Sequence, residues 1–390
     1  MVDLERILLA GAEAWLCPDQ LFDGTSLSRG MALGVAGGKI TGLSPRRDLD
    51  AGLACIPVPG IIAPGFFDIQ INGGGGVMFN ADQSAAGLAR IAAAHRQTGT
   101  MHWLPTVLTD RPEILGRAAD AILGLHGADG IAGIHIEGPH ISEARRGTHA
   151  TAFIRPFDAT TLAHIARLRA QDVPVLITLA PEAATPEDVA AVTAIGAVVS
   201  IGHSGASADA ARALLDAGAG AFTHLFNAMP PMLNRAPGIV GAAINSDVFC
   251  SIIVDGHHVA DEVVGLAVRA RPLPGRMIAI TDAMATVGGP DHFNLYGADI
   301  HLADGKLVNA EGSLAGAHTT LLATLSRLVG RVGVPLETAL GMITAAPAAL
   351  MGLDPRIGHL VPGNAAEFVR IAPDLSDLDV ISGVSGQSLR

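Results

Sequence analysis

The chain has 390 residues, of which 49% are hydrophobic, only 4% aromatic, and its formal net charge is −12. That length exceeds one ordinary domain and suits a barrel with a small extra domain, its core built from Ala, Val, Ile and Leu. The negative balance argues against nucleic acid or an anionic membrane surface as partner, because both call for basic patches.

The elements begin with short apolar runs joined by glycine-rich turns. Residues 6–10, 31–36, 39–43 and 54–58 read as strands, with Gly37-Gly38 as a hairpin signal between two of them. The first residues, with Asp3, Glu5 and Arg6 ahead of a four-residue apolar run, lack the basic and long apolar regions of a signal peptide. No apolar run approaches the roughly 18 residues of a membrane span. The three cysteines, Cys17, Cys55 and Cys250, show no CxxC spacing, which speaks against a disulfide framework or a thiolate metal site. A soluble, cytoplasmic protein is the expectation.

From residue 64 the rhythm changes to apolar strand, loop, alanine-rich helix. The strands fall at 65–72 (GFFDIQIN), 100–106 (TMHWLPT), 131–137 (IAGIHIE), 173–179 (VPVLITL), 197–203 (AVVSIGH), 219–224 (AGAFTH), 250–255 (CSIIVD) and 277–282 (MIAITD). Helical stretches lie between them, among them 85–98, 112–125, 159–170, 186–194 and 206–217. Strands of this kind alternating with helices imply a parallel sheet covered on both faces, and eight is the number that closes a (β/α)8 TIM-like barrel. A doubly wound open sheet also fits the alternation, but it would not need polar ends on so many strands. A turn-rich stretch at 288–316 follows, then helices near 319–332 and 336–350 and a last strand at 366–371. The expected organisation is a small β-sandwich domain from residues 1–57 plus 358–390, and a hydrolase barrel over 58–357.

The chemistry sits at strand ends. Glu137, His203 and His224 close strands three, five and six, and one carboxylate with two imidazoles is a ligand set for a divalent ion such as zinc. Asp282 closes strand eight, where an aspartate beside such an ion can take a proton from water and pass it to a departing amine. Gly73–Gly76 lacks the GxxxxGK[ST] pattern of a phosphate loop and reads instead as backbone passing close to the site, or a flexible turn. His135 shares a strand face with Glu137 and reads as a packed barrel histidine.

In order along the chain, PGFFDIQINGGGG, HIEGPHIS, RRGTH, GHS, THLFNAMPP, DGHHV and TDAM resemble the N-acetylglucosamine-6-phosphate deacetylase branch of the amidohydrolase superfamily. The resemblance implies a metal on Glu137, His203 and His224, Asp282 as general base and then acid, and His149 polarising the acetyl carbonyl. It implies phosphate binding by Asn227, the backbone N–H of Ala228, Arg235 and His258, with Arg235 reaching into the site of a neighbouring subunit of a homodimer. His258 is preferred to its neighbour His257 on its spacing from Asp255. Many amidohydrolases carry His-x-His at the end of the first strand and hold a second metal there. Here Gln70 and Asn72 stand at those positions, so one metal is expected: zinc foremost, with iron, manganese and cobalt also compatible with the donors. His318 falls near the pocket where relatives carry small residues. The implied reaction is hydrolysis of the acetamide of N-acetyl-D-glucosamine 6-phosphate to D-glucosamine 6-phosphate and acetate, a step of amino-sugar catabolism. The galactosamine epimer or another N-acyl compound is the alternative substrate. A non-catalytic barrel binding a sugar phosphate is the alternative from another class.

Overall fold

The computed structural model describes residues 13–383 except 51, 54, 310, 311 and 313, so the strand expected at 6–10 lies outside the described residues. Eight parallel strands hydrogen-bond in chain order: Phe66–Ile71, Thr100–Leu108, Ile134–Glu137, Val175–Leu179, Val198–Ile201, Ala221–Phe222, Phe249–Ile253 and Met277–Ile280. Strand one meets strand eight by a single parallel bridge, Ile71 to Ala283, which nearly closes the barrel. Side chains complete the seam: the Asp68 carboxylate accepts from the Thr281 hydroxyl (2.6 Å) and N–H (3.1 Å) and from the Gln70 N–H (3.0 Å).

The helices form where the pattern places them. Pro112–Leu125 and Pro186–Ala194 each start on a proline, whose missing N–H costs nothing in a first turn; a Thr185–Asp188 capping box secures the second. The helix expected over 336–350 is broken into Leu336–Met342 and Ala345–Leu350, because Thr344 leaves the helical region. The stretch expected to be turns after strand eight contains a three-stranded antiparallel sheet, His292–Leu295, Ala298–Ala303 and Lys306–Val308.

The second unit draws on both ends of the chain. Ala14–Phe22, Leu27–Ser28, Met31–Ala36, Lys39–Pro45, Cys55–Pro64, Glu367–Ile371 and Leu378–Ser382 form one seven-stranded sheet. Its edge strand Lys39–Pro45 curls back to the segment leading into Glu367–Ile371, with the Ile40 N–H donating to Asn364 O and the Ala366 N–H to Gly38 O, around a core that includes Leu16, Leu33, Ile62 and Phe368. Its strand Cys55–Pro64 continues past the boundary expected after residue 57. The cysteine expectation is corrected here. Cys17 and Cys55 lie on neighbouring parallel strands with Cα atoms 6.0 Å apart and are joined as a disulfide, while Cys250 is free and buried.

Candidate active site

Glu137 is the last residue of strand three, but His203, His224 and Asp282 stand two residues beyond strands five, six and eight. All three adopt positive φ, 49°, 31° and 52° respectively. Left-handed backbone at non-glycine residues costs energy and concentrates at functional sites, and here it turns three side chains inward over the barrel mouth.

The turned side chains converge. His203 Nε2 and His224 Nε2 are 2.9 Å apart and lie 3.3 and 3.0 Å from the same Glu137 oxygen, Oε1. The other nitrogen of His203, Nδ1, donates to the Arg145 carbonyl at 2.9 Å, which leaves the Nε2 lone pair facing the centre. Burial alone would raise the Glu137 carboxyl, yet the two imidazoles beside it hold it well below the usual carboxylate range. Electron-pair donors packed this closely match the demand of a divalent cation with nitrogen and oxygen ligands. Glu137, His149 and His203 also bring one possible ligand atom each within 4.8 Å of one another.

Asp282 faces this centre. Its Oδ1 accepts from Asn72 Nδ2 at 2.6 Å and from Gln70 Nε2 at 3.1 Å, and Gln70 Nε2 also donates to Glu137 Oε1 at 2.8 Å. The two amides at the His-x-His positions therefore serve as donors, Gln70 tying the two carboxylates together and Asn72 holding Asp282. Burial, then the Glu137 charge, raises the Asp282 carboxyl to about 6, against the pull of His224, Asn72 and His258. His149 packs edge-to-face on His203 with centroids 4.6 Å apart, and burial, the largest cause, depresses its ring to about 3, so it is neutral.

These groups line one cavity of about 150 Å³ together with Asn227, Ala228 and His258. Asn227 Nδ2 is buried without a hydrogen-bond partner among the described residues, and Ala228 carries φ 53°. His258 Nδ1 lies 2.7 Å from Asp255 Oδ2, and the N–H groups of His257 and His258 donate to Asp255 Oδ1. Burial would raise Asp255, but the contacts from His258 and its backbone prevail and hold it at about 2. His257 is exposed, so of the two histidines it is His258 that faces the cavity. Arg235 is not among the lining residues; it stands on an exposed loop beside Met232 and Leu233, which are 51% and 59% exposed.

The glycine run packs closely. The N–H groups of Gly73, Gly75 and Gly76 donate to Ala283, Val287 and Ala285, so they buttress the segment after Asp282 rather than offer themselves to an anion. His95 supports the same run from its Nε2, 2.9 Å from Gly73 O. His135 is a buried barrel residue 2.8 Å from Thr178 Oγ1, and His318 pairs with Thr286 Oγ1 at 2.9 Å. Sequence reasoning missed Thr109 behind His149 and Glu182, whose carboxylate accepts from the Ser204 hydroxyl and the Gly205 N–H and so fixes the His203 loop. No local signal marks either residue, since their partners are 40 and 22–23 residues away.

A TIM-like barrel with a carboxylate–imidazole centre at the C-terminal mouth of its strands is the architecture of a barrel hydrolase. The chain belongs to the amidohydrolase family, whose model matches residues 61–386. It is 38% identical over 326 residues to an N-acetylgalactosamine-6-phosphate deacetylase of Shewanella sp. (strain ANA-3), covering 81% of this chain and 80% of the relative. It is 31% identical over 354 residues to an N-acetylglucosamine-6-phosphate deacetylase of Haemophilus influenzae, covering 89% and 92%. A variant of the N-acetyl-D-glucosamine-6-phosphate deacetylase from Mycobacterium smegmatis, solved with N-acetyl-D-glucosamine-6-phosphate, superposes with a TM-score of 0.87 at 31% identity, covering 97% of this chain and 99% of that one.

Proposed function

We propose that this chain is a metal-dependent deacetylase that hydrolyses the acetamide of N-acetyl-D-glucosamine 6-phosphate to D-glucosamine 6-phosphate and acetate. The observation that carries the reading is the single cavity in which a buried Glu137–His203–His224 centre, the Asp282 carboxylate and the neutral His149 ring face one another. A barrel that only bound a sugar phosphate would have no use for that combination. Relatives that act on either epimer support the same reaction, and the 38% identity to a galactosamine enzyme keeps N-acetyl-D-galactosamine 6-phosphate as a second substrate reading.

Glu137, His203 and His224 would hold one divalent ion, zinc by the preference of imidazole and carboxylate donors. Bound there, the ion supplies Lewis acidity, polarising the acetyl carbonyl and lowering the pKa of water. The chain's own residues do the rest. Asp282 is pinned through Oδ1, so its Oδ2 is the oxygen available to accept a proton from attacking water and return it to the leaving amine. His149 donates to the carbonyl oxygen as charge builds on it. Asn227, the Ala228 N–H and His258 receive the phosphate, and Arg235 of a second copy completes the clamp with a planar fork suited to phosphate. The exposed Met232 and Leu233 beside Arg235 support an interface at that loop. No helix among the described residues is long and apolar enough to cross a membrane. A cytoplasmic location is our reading.

Asp282→Asn tests the assignment. The variant should fold and keep its metal while acetate release falls by about 10²–10⁴-fold, the span of a lost general acid–base group. Turnover at the unsubstituted rate would contradict the role.

A further inference from the structure

The His149 ring is held from behind by one residue. Thr109 stands just past strand two and meets His149 Nδ1 twice, with its hydroxyl at 2.7 Å and its backbone N–H at 3.3 Å. A backbone N–H can only donate, so Nδ1 is an acceptor and its lone pair points at Thr109. A neutral imidazole whose Nδ1 accepts carries its single proton on Nε2, the nitrogen left for the cavity that His149 lines.

Thr109 is pinned in turn. Its carbonyl accepts from the hydroxyl of Tyr296, the only tyrosine of the chain, at the turn between His292–Leu295 and Ala298–Ala303. The preceding Leu108 packs with Phe293, Leu295 and Leu307 of the same three-stranded sheet. On the other side Gly138, at φ 80°, leaves no room: a Cβ there would come 2.1 Å from Thr109 Oγ1.

We propose that Thr109, clamped by Tyr296, is a positioning residue that fixes His149 as the Nε2–H tautomer, making it a hydrogen-bond donor and not a metal ligand. Two uses of this ring compete, because its possible ligand atom lies within 4.8 Å of those of Glu137 and His203. Ligation needs a free nitrogen lone pair. The Nδ1 pair is taken by Thr109 and Nε2 carries the proton. The donation to a substrate carbonyl rests on the deacetylase reading above; the tautomer does not.

The test is ¹⁵N NMR of metal-loaded protein labelled at histidine, with the His149 signals identified by difference from His149→Gln. The expected spectrum shows His149 unprotonated at Nδ1 and protonated at Nε2. Thr109→Val should lower kcat about tenfold at nearly constant KM with unchanged metal content, the scale of one lost hydrogen bond to a functional group. Its His149 Nδ1 signal should shift as the hydroxyl bond is lost, while the N–H of residue 109 stays in place. Thr109→Ser should restore both kcat, to within about twofold, and the spectrum, while Tyr296→Phe should give a drop of about threefold in the same direction. A protonated Nδ1 or a metal-shifted Nε2 in the unsubstituted protein would overturn the proposal, as would Thr109→Ser falling as far as Thr109→Val. If the unsubstituted protein released no acetate, the deacetylase reading would fall, and the NMR pattern would still decide the tautomer.

Discussion

Asp282 shows how neighbours set the working range of a single group. Its carboxyl is raised to about 6, with burial the largest cause and the Glu137 charge next, whereas the Asn72 amide favours the ionised form. A general base works ionised, so activity is present above its pKa and lost as pH falls through it. A bound cation also favours the ionised form, so the acid limb of kcat should lie at or below about pH 6. Asn72→Ala removes the donor 2.6 Å from Oδ1 and should move that limb to higher pH, read from a kcat–pH profile. A shift to lower pH would contradict the assignment. The residues that present chemistry, Glu137, His203, His224 and Asp282, were legible because each follows an apolar run. Those that hold them were not. Asp68 reaches Thr281 across 213 positions, a relation that only barrel closure creates.

At the scale of elements, the glycine run shows packing acting on function. A Cβ at Gly73 would come 2.4 Å from Val77 O and 2.9 Å from Ala285 N, so Gly73→Ala must displace the segment that follows Asp282. We expect a loss of about 1–3 kcal/mol in denaturant unfolding, with kcat falling alongside. Gly124 lies inside Pro112–Leu125, where an added Cβ would meet nothing within 4 Å, and Gly124→Ala should instead stabilise by up to about 1 kcal/mol. Equal effects from the two substitutions would show that helix propensity, not close approach, governs both. The barrel strands were readable because they are near-continuous apolar runs, buried on both faces. Two other elements were not. Ala14–Phe22 contains Pro18 and Asp19, residue types depleted in strands, yet the run forms a half-buried strand. The sheet from His292 to Val308 has short, half-exposed strands joined by Gly297 and Gly305 at positive φ, so its turn signals outweighed its alternation.

For the whole molecule, the proposed clamp makes each site depend on two copies. Arg235→Ala and Asp282→Asn should each be nearly inactive alone on the phosphorylated sugar. In a hybrid dimer the intact Asp282 site of one copy receives the intact Arg235 of the other. After equal mixing and subunit exchange, random pairing makes about half the dimers hybrid, each with one working site, so about a quarter of normal activity should return. No recovery, in a mixture shown to exchange subunits, would place Arg235 outside the neighbouring site.

The central claim is tested most directly by measuring acetate release from N-acetyl-D-glucosamine 6-phosphate, its galactosamine epimer and the unphosphorylated sugar. Each would be assayed with protein as purified, after chelation, and after zinc is returned. The account predicts turnover of the glucosamine phosphate that is lost on chelation and restored by zinc, with little release from the unphosphorylated sugar. Faster turnover of the epimer would change the substrate and leave the site chemistry standing. No release from any of the three with metal bound would contradict the account.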